Sequence, residues 1–143
     1  MTRPQVLPDD IALLPASGID IVVSMLEPAE AAEIGLAKQA NACASLGLTY
    51  LTHPIRDMHL PDPAPFAAFA NNIAERLRGG AHIAVHCYAS IGRSGLLACT
   101  VLGHFGYSSH TALAHVSKMR GQPVPDTTAQ TDFLHQTMVT PSA

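Results

Sequence analysis

The apolar positions of this chain change period several times, and each change marks an element. Ile19 to Met25 is a short β-branched run (Ile19, Ile21, Val22, Val23), the pattern of a strand buried on both faces. The alanine-rich stretch from Glu27-Pro28 to Leu46 predicts a helix. Glu27, Glu30 and Glu33 suit the positive end of its dipole, and Gly47 suits its C-terminal cap. Leu48 to His53 reads as a second strand. Pro54 to Pro65 holds four prolines and predicts an exposed, irregular loop. Phe66, Phe69, Ile73 and Leu77 recur at helical spacing, predicting a helix over Phe66 to Arg78 that closes on Gly79-Gly80. Ala81 to His86 reads as a third strand, with Ile83 and Val85 on one face. Ser94 to Phe105 is an apolar helix expected to be buried. Two more helices, Ser109 to Arg120 and Thr127 to Val139, flank Gly121-Gln122-Pro123-Val124-Pro125, and Pro8 and Pro15 punctuate an irregular start.

Strands alternating with helices imply crossover connections. The fold class is therefore α/β: one domain over residues 1–143, with a short, mostly parallel central sheet flanked by helices on both faces. In such sheets, sites form where strands end and helices begin. The composition narrows the partners. A net charge of -3 without a dense Lys/Arg cluster argues against nucleic acid or an anionic membrane as the main ligand. No apolar run reaches the length of a spanning helix, and Met1 to Pro4 does not open a signal peptide. Three cysteines without paired spacing fit a reduced, cytoplasmic protein rather than a disulfide framework.

One strand-to-helix junction carries unusual chemistry: His86-Cys87-Tyr88-Ala89-Ser90-Ile91-Gly92-Arg93-Ser94-Gly95. Backbone N–H groups of a tight loop and the positive end of a helix dipole converge on one spot, which makes an anion trap. The expected binding loop is Tyr88, Ala89, Ser90, Ile91 and Gly92, with Gly92 letting the backbone approach an oxyanion. Arg93 offers a planar fork for two phosphate oxygens. The same field lowers the pKa of Cys87, giving a thiolate aimed at phosphorus. Ser94 can donate its hydroxyl to the departing sulfur, and His86 is placed to fix the loop. The competing reading is a buried cysteine followed by a surface arginine. Four residue types at fixed offsets, in a strand–loop–helix context, weigh against it.

The segment resembles the His-Cys-x5-Arg-Ser/Thr signature of protein tyrosine and dual-specificity phosphatases. The signature's place in the second half of the chain resembles the compact, bacterial-type dual-specificity members, over approximately residues 19–136. The resemblance implies a cysteine-dependent phosphatase that needs no metal or other cofactor. It also implies a carboxylic acid on a loop to protonate the leaving oxygen. Pro54-Ile55-Arg56-Asp57 resembles the family's Pro-Ile-x-Asp loop, which makes Asp57 the acid. Asp62 is the competitor, although Asp before Pro is also a common turn residue, and His59 reads better as a solvated loop histidine. Gln130 matches the glutamine that the family often places to orient the hydrolytic water. Thr127-x-x-Gln130 is equally a capping box.

The implied partner is a phosphorylated protein or a small phosphomonoester. Phosphotyrosine leads, phosphoserine or phosphothreonine stays open, and so does the oligomeric state. A phosphoinositide or inositol phosphate is the alternative substrate. Tyr88 to Ile91 carry no lysine, which favours a singly phosphorylated one. A phospho-binding module without catalysis is the third reading, and the intact Cys87, Arg93 and Asp57 argue against it. Eight histidines invite a metal site, but His82/His86 and His110/His115 lack tight ligand spacing. Cys43 and Cys99 fall in helices as small buried hydrophobes.

Overall fold

In the computed structural model, residues 18–33, 35, 38–56, 59–86, 92–121, 124 and 127–138 are described. They form β1 (Ile21–Ser24), α1 (Pro28–Glu33), α2 (Gln39–Ser45), β2 (Thr49–Thr52), α3 (Pro63–Arg78), β3 (Ile83–His86), α4 (Gly92–Gly103), α5 (Ser109–Arg120) and α6 (Thr128–Thr137). The three strands make a parallel sheet in the order β2-β1-β3. All four residues of β1, the central strand, are buried, the β-branched Ile21, Val22 and Val23 together with Ser24.

Alternation along β1 separates two cores. Ile21 and Val23 join the larger one, with Phe66 and Ile73 of α3, Leu96, Leu97 and Cys99 of α4, and Phe133 and Leu134 of α6. Val22 points the other way and packs with Cys43 of α2 and Leu48. Helices thus cover both faces of the sheet, and the two crossovers run in opposite directions on opposite faces. They therefore share one hand. The chain leaves β1 for one edge and returns past it to the other, so the connections that leave the C-terminal ends of β1 and β3 run to opposite sides of the sheet. Such a switch point is where open α/β sheets bind ligands.

Two expectations need correction. The stretch from Glu27 to Leu46 is two short helices, α1 and α2, rather than one. Gly35 lies between them at φ +77°, a conformation that ends a helix. Gly47, at φ +74°, does close α2: Leu48 N–H reaches Cys43 O at 2.9 Å and Gly47 N–H reaches Ala44 O at 3.2 Å, a Schellman pattern. The second correction concerns the proline-rich loop. α3 begins at Pro63, not Phe66, so Pro63 and Pro65 sit in its first turn, where a missing N–H forfeits no helical bond. α4 likewise begins at Gly92, two residues before Ser94.

Candidate active site

The junction between β3 and α4 lies at the switch point. His86, the last residue of β3, pairs with Ser24 at the end of β1, and Gly92 opens α4. The intervening Cys87, Tyr88, Ala89, Ser90 and Ile91 lie outside the described residues, as do Asp57 and the His86 side chain. The strand end and the helix start that bracket the loop stand where the sequence predicts a strand-to-helix turn.

Arg93 is the second residue of α4 and is 1 % exposed. A buried guanidinium needs a countercharge and hydrogen-bond acceptors. Glu30, on α1, supplies both. Arg93 Nη1 donates to Glu30 Oε1 at 2.6 Å, and Nη2 donates to Oε2 at 2.9 Å, a two-point fork. The second Nη1 hydrogen goes to the backbone carbonyl of Ile55 at 2.8 Å.

The local sequence holds Glu30 in place. Pro28 opens α1, and Glu30, two residues on, turns back so that Oε1 accepts the Glu27 N–H at 3.1 Å. This is the reach-back half of a capping box. Burial pushes the Glu30 carboxyl up. The Arg93 hydrogen bonds, the Glu27 N–H and the Arg93 charge outweigh it and hold the group below its ordinary range.

Ile55 is itself pinned. Its N–H donates to Met25 O at 3.1 Å, and the N–H of His53 donates to Ser24 O at 3.0 Å, so the segment after β2 runs on beside the end of β1. The His53 ring lies 5.6 Å from Phe66 and 4.9 Å from Phe69, and its burial there lowers its pKa. The His59 N–H donates to Arg56 O at 2.9 Å. The base of the predicted acid loop is therefore tied to β1 and to Arg93 at once.

The other candidates fall as follows. Ser94, next to Arg93, is buried. Asp62 is exposed and takes the N-cap position of α3, with φ -68° and ψ 123°. His59 is exposed. Gln130 is buried and completes a capping box: its N–H donates to Thr127 Oγ1 at 3.1 Å, and its Oε1 accepts the Thr127 N–H at 3.2 Å. Cys43 and Cys99 are buried free thiols, and burial raises both pKa values, that of Cys99 to about 12. Among the described residues, no group of three or more His, Cys, Asp or Glu side chains is arranged for a metal, and no helix is long and apolar enough to cross a membrane.

The sequence reading missed Glu30 as a site residue and treated it only as an acid suited to a helix start. Its signal was Glu27-Pro28-x-Glu30, which announces a helix N-terminus but not a partner 63 positions away.

Comparison with known proteins agrees with this architecture. The rat cyclin-dependent kinase inhibitor 3 is 26% identical over 129 residues; these are 89% of this chain, which spans 61% of that relative's length. A structure of kinase associated phosphatase, with its catalytic cysteine replaced by serine, superposes with a TM-score of 0.84 at 23% identity, covering 90% of this chain and 74% of that one. Tk-PTP in its active form gives a TM-score of 0.78 at 26% identity, with 92% and 86% covered. PTPMT1 gives 0.79 at 19% identity, with 96% and 87% covered. Residues 1–106 match the family model described as a polymorphic toxin system DSP-PTPase phosphatase, and the chain belongs to that family of phosphatases.

Proposed function

We propose that the protein hydrolyses phosphate monoesters through a phosphocysteine on Cys87, with phosphotyrosine in proteins as the leading substrate. The observation that carries this reading is the buried Arg93, oriented by Glu30 at the start of the helix that follows the Cys87 loop. Two bonds to Glu30 and one to the Ile55 carbonyl hold the guanidinium plane. The planar five-donor guanidinium is the side chain whose fork geometry matches two phosphoryl oxygens.

The Cys87 thiolate attacks phosphorus and the ester P–O bond breaks. Asp57 gives its proton to the departing oxygen, which leaves as an alcohol or phenol. Arg93 and the N–H groups of residues 88–92 hold the equatorial oxygens. Asp57, now a carboxylate, takes a proton from water as the water attacks phosphorus, with Gln130 as the orienting group. The P–S bond breaks, the thiolate returns with the Ser94 hydroxyl supporting it, and inorganic phosphate departs. No metal or cofactor enters any step. A thiolate nucleophile works in a reducing compartment, which supports a cytoplasmic setting.

A phosphoinositide or inositol phosphate is the second reading. A structure of PTPMT1 in complex with PI(5)P shares the fold at a TM-score of 0.75. Against it, Tyr88, Ala89, Ser90 and Ile91 offer no cation to a second phosphate. The test is turnover on a panel of phosphotyrosine and phosphoserine/threonine peptides, phosphoinositide vesicles, inositol phosphates and small monoesters, with rapid quench to trap the phosphoenzyme. Phosphotyrosine peptides should have the highest kcat/KM, with a burst of one phosphoenzyme per site. Preference for a lipid headgroup would transfer the substrate assignment to the second reading. No turnover on any substrate would refute catalysis.

A further inference from the structure

We propose that His110 and His135 form a site for a divalent transition metal of the Cu2+ or Ni2+ type, with Ser109 orienting His135. The two histidines are 25 positions apart, and the packing of α5 on α6 brings them together. Ala112 and Val116 of α5 share the larger core with Phe133 and Leu134 of α6. The start of α5 therefore meets the end of α6, and the His110 and His135 rings, both on exposed residues, face each other there.

Their geometry fits one shared ion. The ring centroids are 4.5 Å apart with an interplanar angle of 37°. With a metal–nitrogen bond of about 2.1 Å, each ring centre would stand about 3.2 Å from the ion, and two rings at a right angle about that ion would be about 4.5 Å apart. A right angle between nitrogen ligands suits the square or octahedral geometries of Cu2+ and Ni2+. A second observation concerns which nitrogen is left to bind. His135 Nδ1 lies 2.6 Å from Ser109 Oγ, and Ser109 is buried. A metal on Nε2 fixes the tautomer with the proton on Nδ1, which then donates to that oxygen. A ligating histidine is commonly held in this way, by an oxygen that takes its other N–H.

The surrounding charges favour a cation at the His135 side. His135 is in the last turn of α6, the negative end of that helix dipole, and the exposed Asp132 lies one turn before it. The start of α5 opposes a cation by a similar amount, so the imidazoles decide the affinity. Water completes the coordination. The site is also separate from the phosphatase chemistry: α4 carries the chain roughly 17 Å away from Arg93 before α5 begins. A bound ion would staple α5 to α6 and stabilise the fold.

The test titrates CuCl2, NiCl2 and ZnCl2 into the untagged full chain carrying Cys87→Ser, which removes the expected thiolate as a rival ligand. One Cu2+ should bind per chain, more tightly than Ni2+ or Zn2+, and its electron paramagnetic resonance spectrum should show two imidazole nitrogens. At a free Cu2+ concentration of about 100 times Kd, Tm should rise by roughly 5–10 °C. His110→Ala and His135→Ala replace exposed residues and keep the fold, which the metal-free Tm checks. Each should lose affinity by more than 10-fold, together with one nitrogen signal and the Tm rise. Ser109→Ala should weaken binding by roughly 10-fold while both nitrogens stay bound, the usual scale for an outer partner of a ligand. Undiminished Cu2+ affinity in either histidine variant, or a one-nitrogen spectrum in the parent, would overturn the site. Unchanged affinity in Ser109→Ala would overturn the role given to Ser109. Neither readout depends on turnover, so failure of the phosphatase reading would leave this result standing.

Discussion

Replacing Arg93 with lysine separates charge from geometry, because the partners of Arg93 compete for whatever replaces it. The Glu30 carboxylate is held by the Glu27 N–H and is 16% exposed. A lysine ammonium in this interior will settle on that carboxylate, its strongest partner, and one compact ammonium cannot also present a fork to phosphate. In the proposed mechanism the wild-type guanidinium gives the transition state two charge-assisted bonds, about 1.5–3 kcal/mol each. Losing both predicts a fall in kcat/KM of about 100- to 10,000-fold, at ~1.4 kcal/mol per factor of ten. Arg93→Ala loses the same two bonds, so the two variants should agree in activity within roughly tenfold. Stability should distinguish them. Alanine leaves the Glu30 carboxylate partly buried without a cation, which costs about 3–5 kcal/mol and a Tm drop on the order of 10 °C. Lysine retains an ion pair and should lose less than half of that. The assay is steady-state kinetics on an aryl phosphate beside thermal unfolding of the same preparations. Arg93→Lys activity within tenfold of wild type would show that a point charge suffices, and the fork argument would be wrong.

Four further outcomes follow. Cys87→Ser should abolish turnover yet bind inorganic phosphate with near-wild-type affinity, as calorimetry can show; near-wild-type turnover would rule out the phosphocysteine. Asp57→Asn should slow hydrolysis of phenyl or alkyl phosphates by about 100-fold, the usual scale for a general acid, and Asp62→Asn only slightly; the reverse ranking would move the acid to Asp62. Because the Glu30 carboxyl is held low, its stabilising contribution is complete above the ordinary glutamate value of about 4.3 and is lost only as pH falls through the lower folded value. The Tm gap between wild type and Glu30→Gln should thus be flat from about pH 8 to 5 and narrow below about pH 4; closure of the gap between pH 5 and 7 would contradict the pairing. Mild peroxide should inactivate the enzyme, and vanadate should protect it, with no disulfide to Cys43 or Cys99, since both are buried thiols with raised pKa values; a Cys87–Cys43 peptide in the digest would refute this.

β1 was legible because a strand buried on both faces is rich in β-branched residues. β1, β2 and β3 lie inside the three predicted strands, trimmed at their ends. The errors came from residues with two meanings. Proline is a breaker within a helix, yet Pro63 and Pro65 serve the first turn of α3. Alanine content suggested one helix after Glu27, but it carries no information on where a chain must turn back toward its sheet. Gly35 does, at φ +77°.

The candidate site divides along the same line. The residues of the Cys87–Arg93 segment are adjacent in sequence, so a motif can present them, and Thr127-x-x-Gln130 was readable as a cap because both its bonds are local. The partners of Arg93 are neither adjacent nor patterned. Glu30 is 63 positions away, and the Ile55 group that Arg93 binds is a backbone carbonyl, which every residue type would supply. What brings them together is the sheet order. With β1 between β2 and β3, the segments following all three strands leave the sheet at one end. The segment after β1 brings the carboxylate, that after β2 the carbonyl, and that after β3 the arginine. A buried cation needing three acceptors found them on the segments that this topology delivers, and that need, rather than any spacing in the sequence, identifies Glu30 as part of the site.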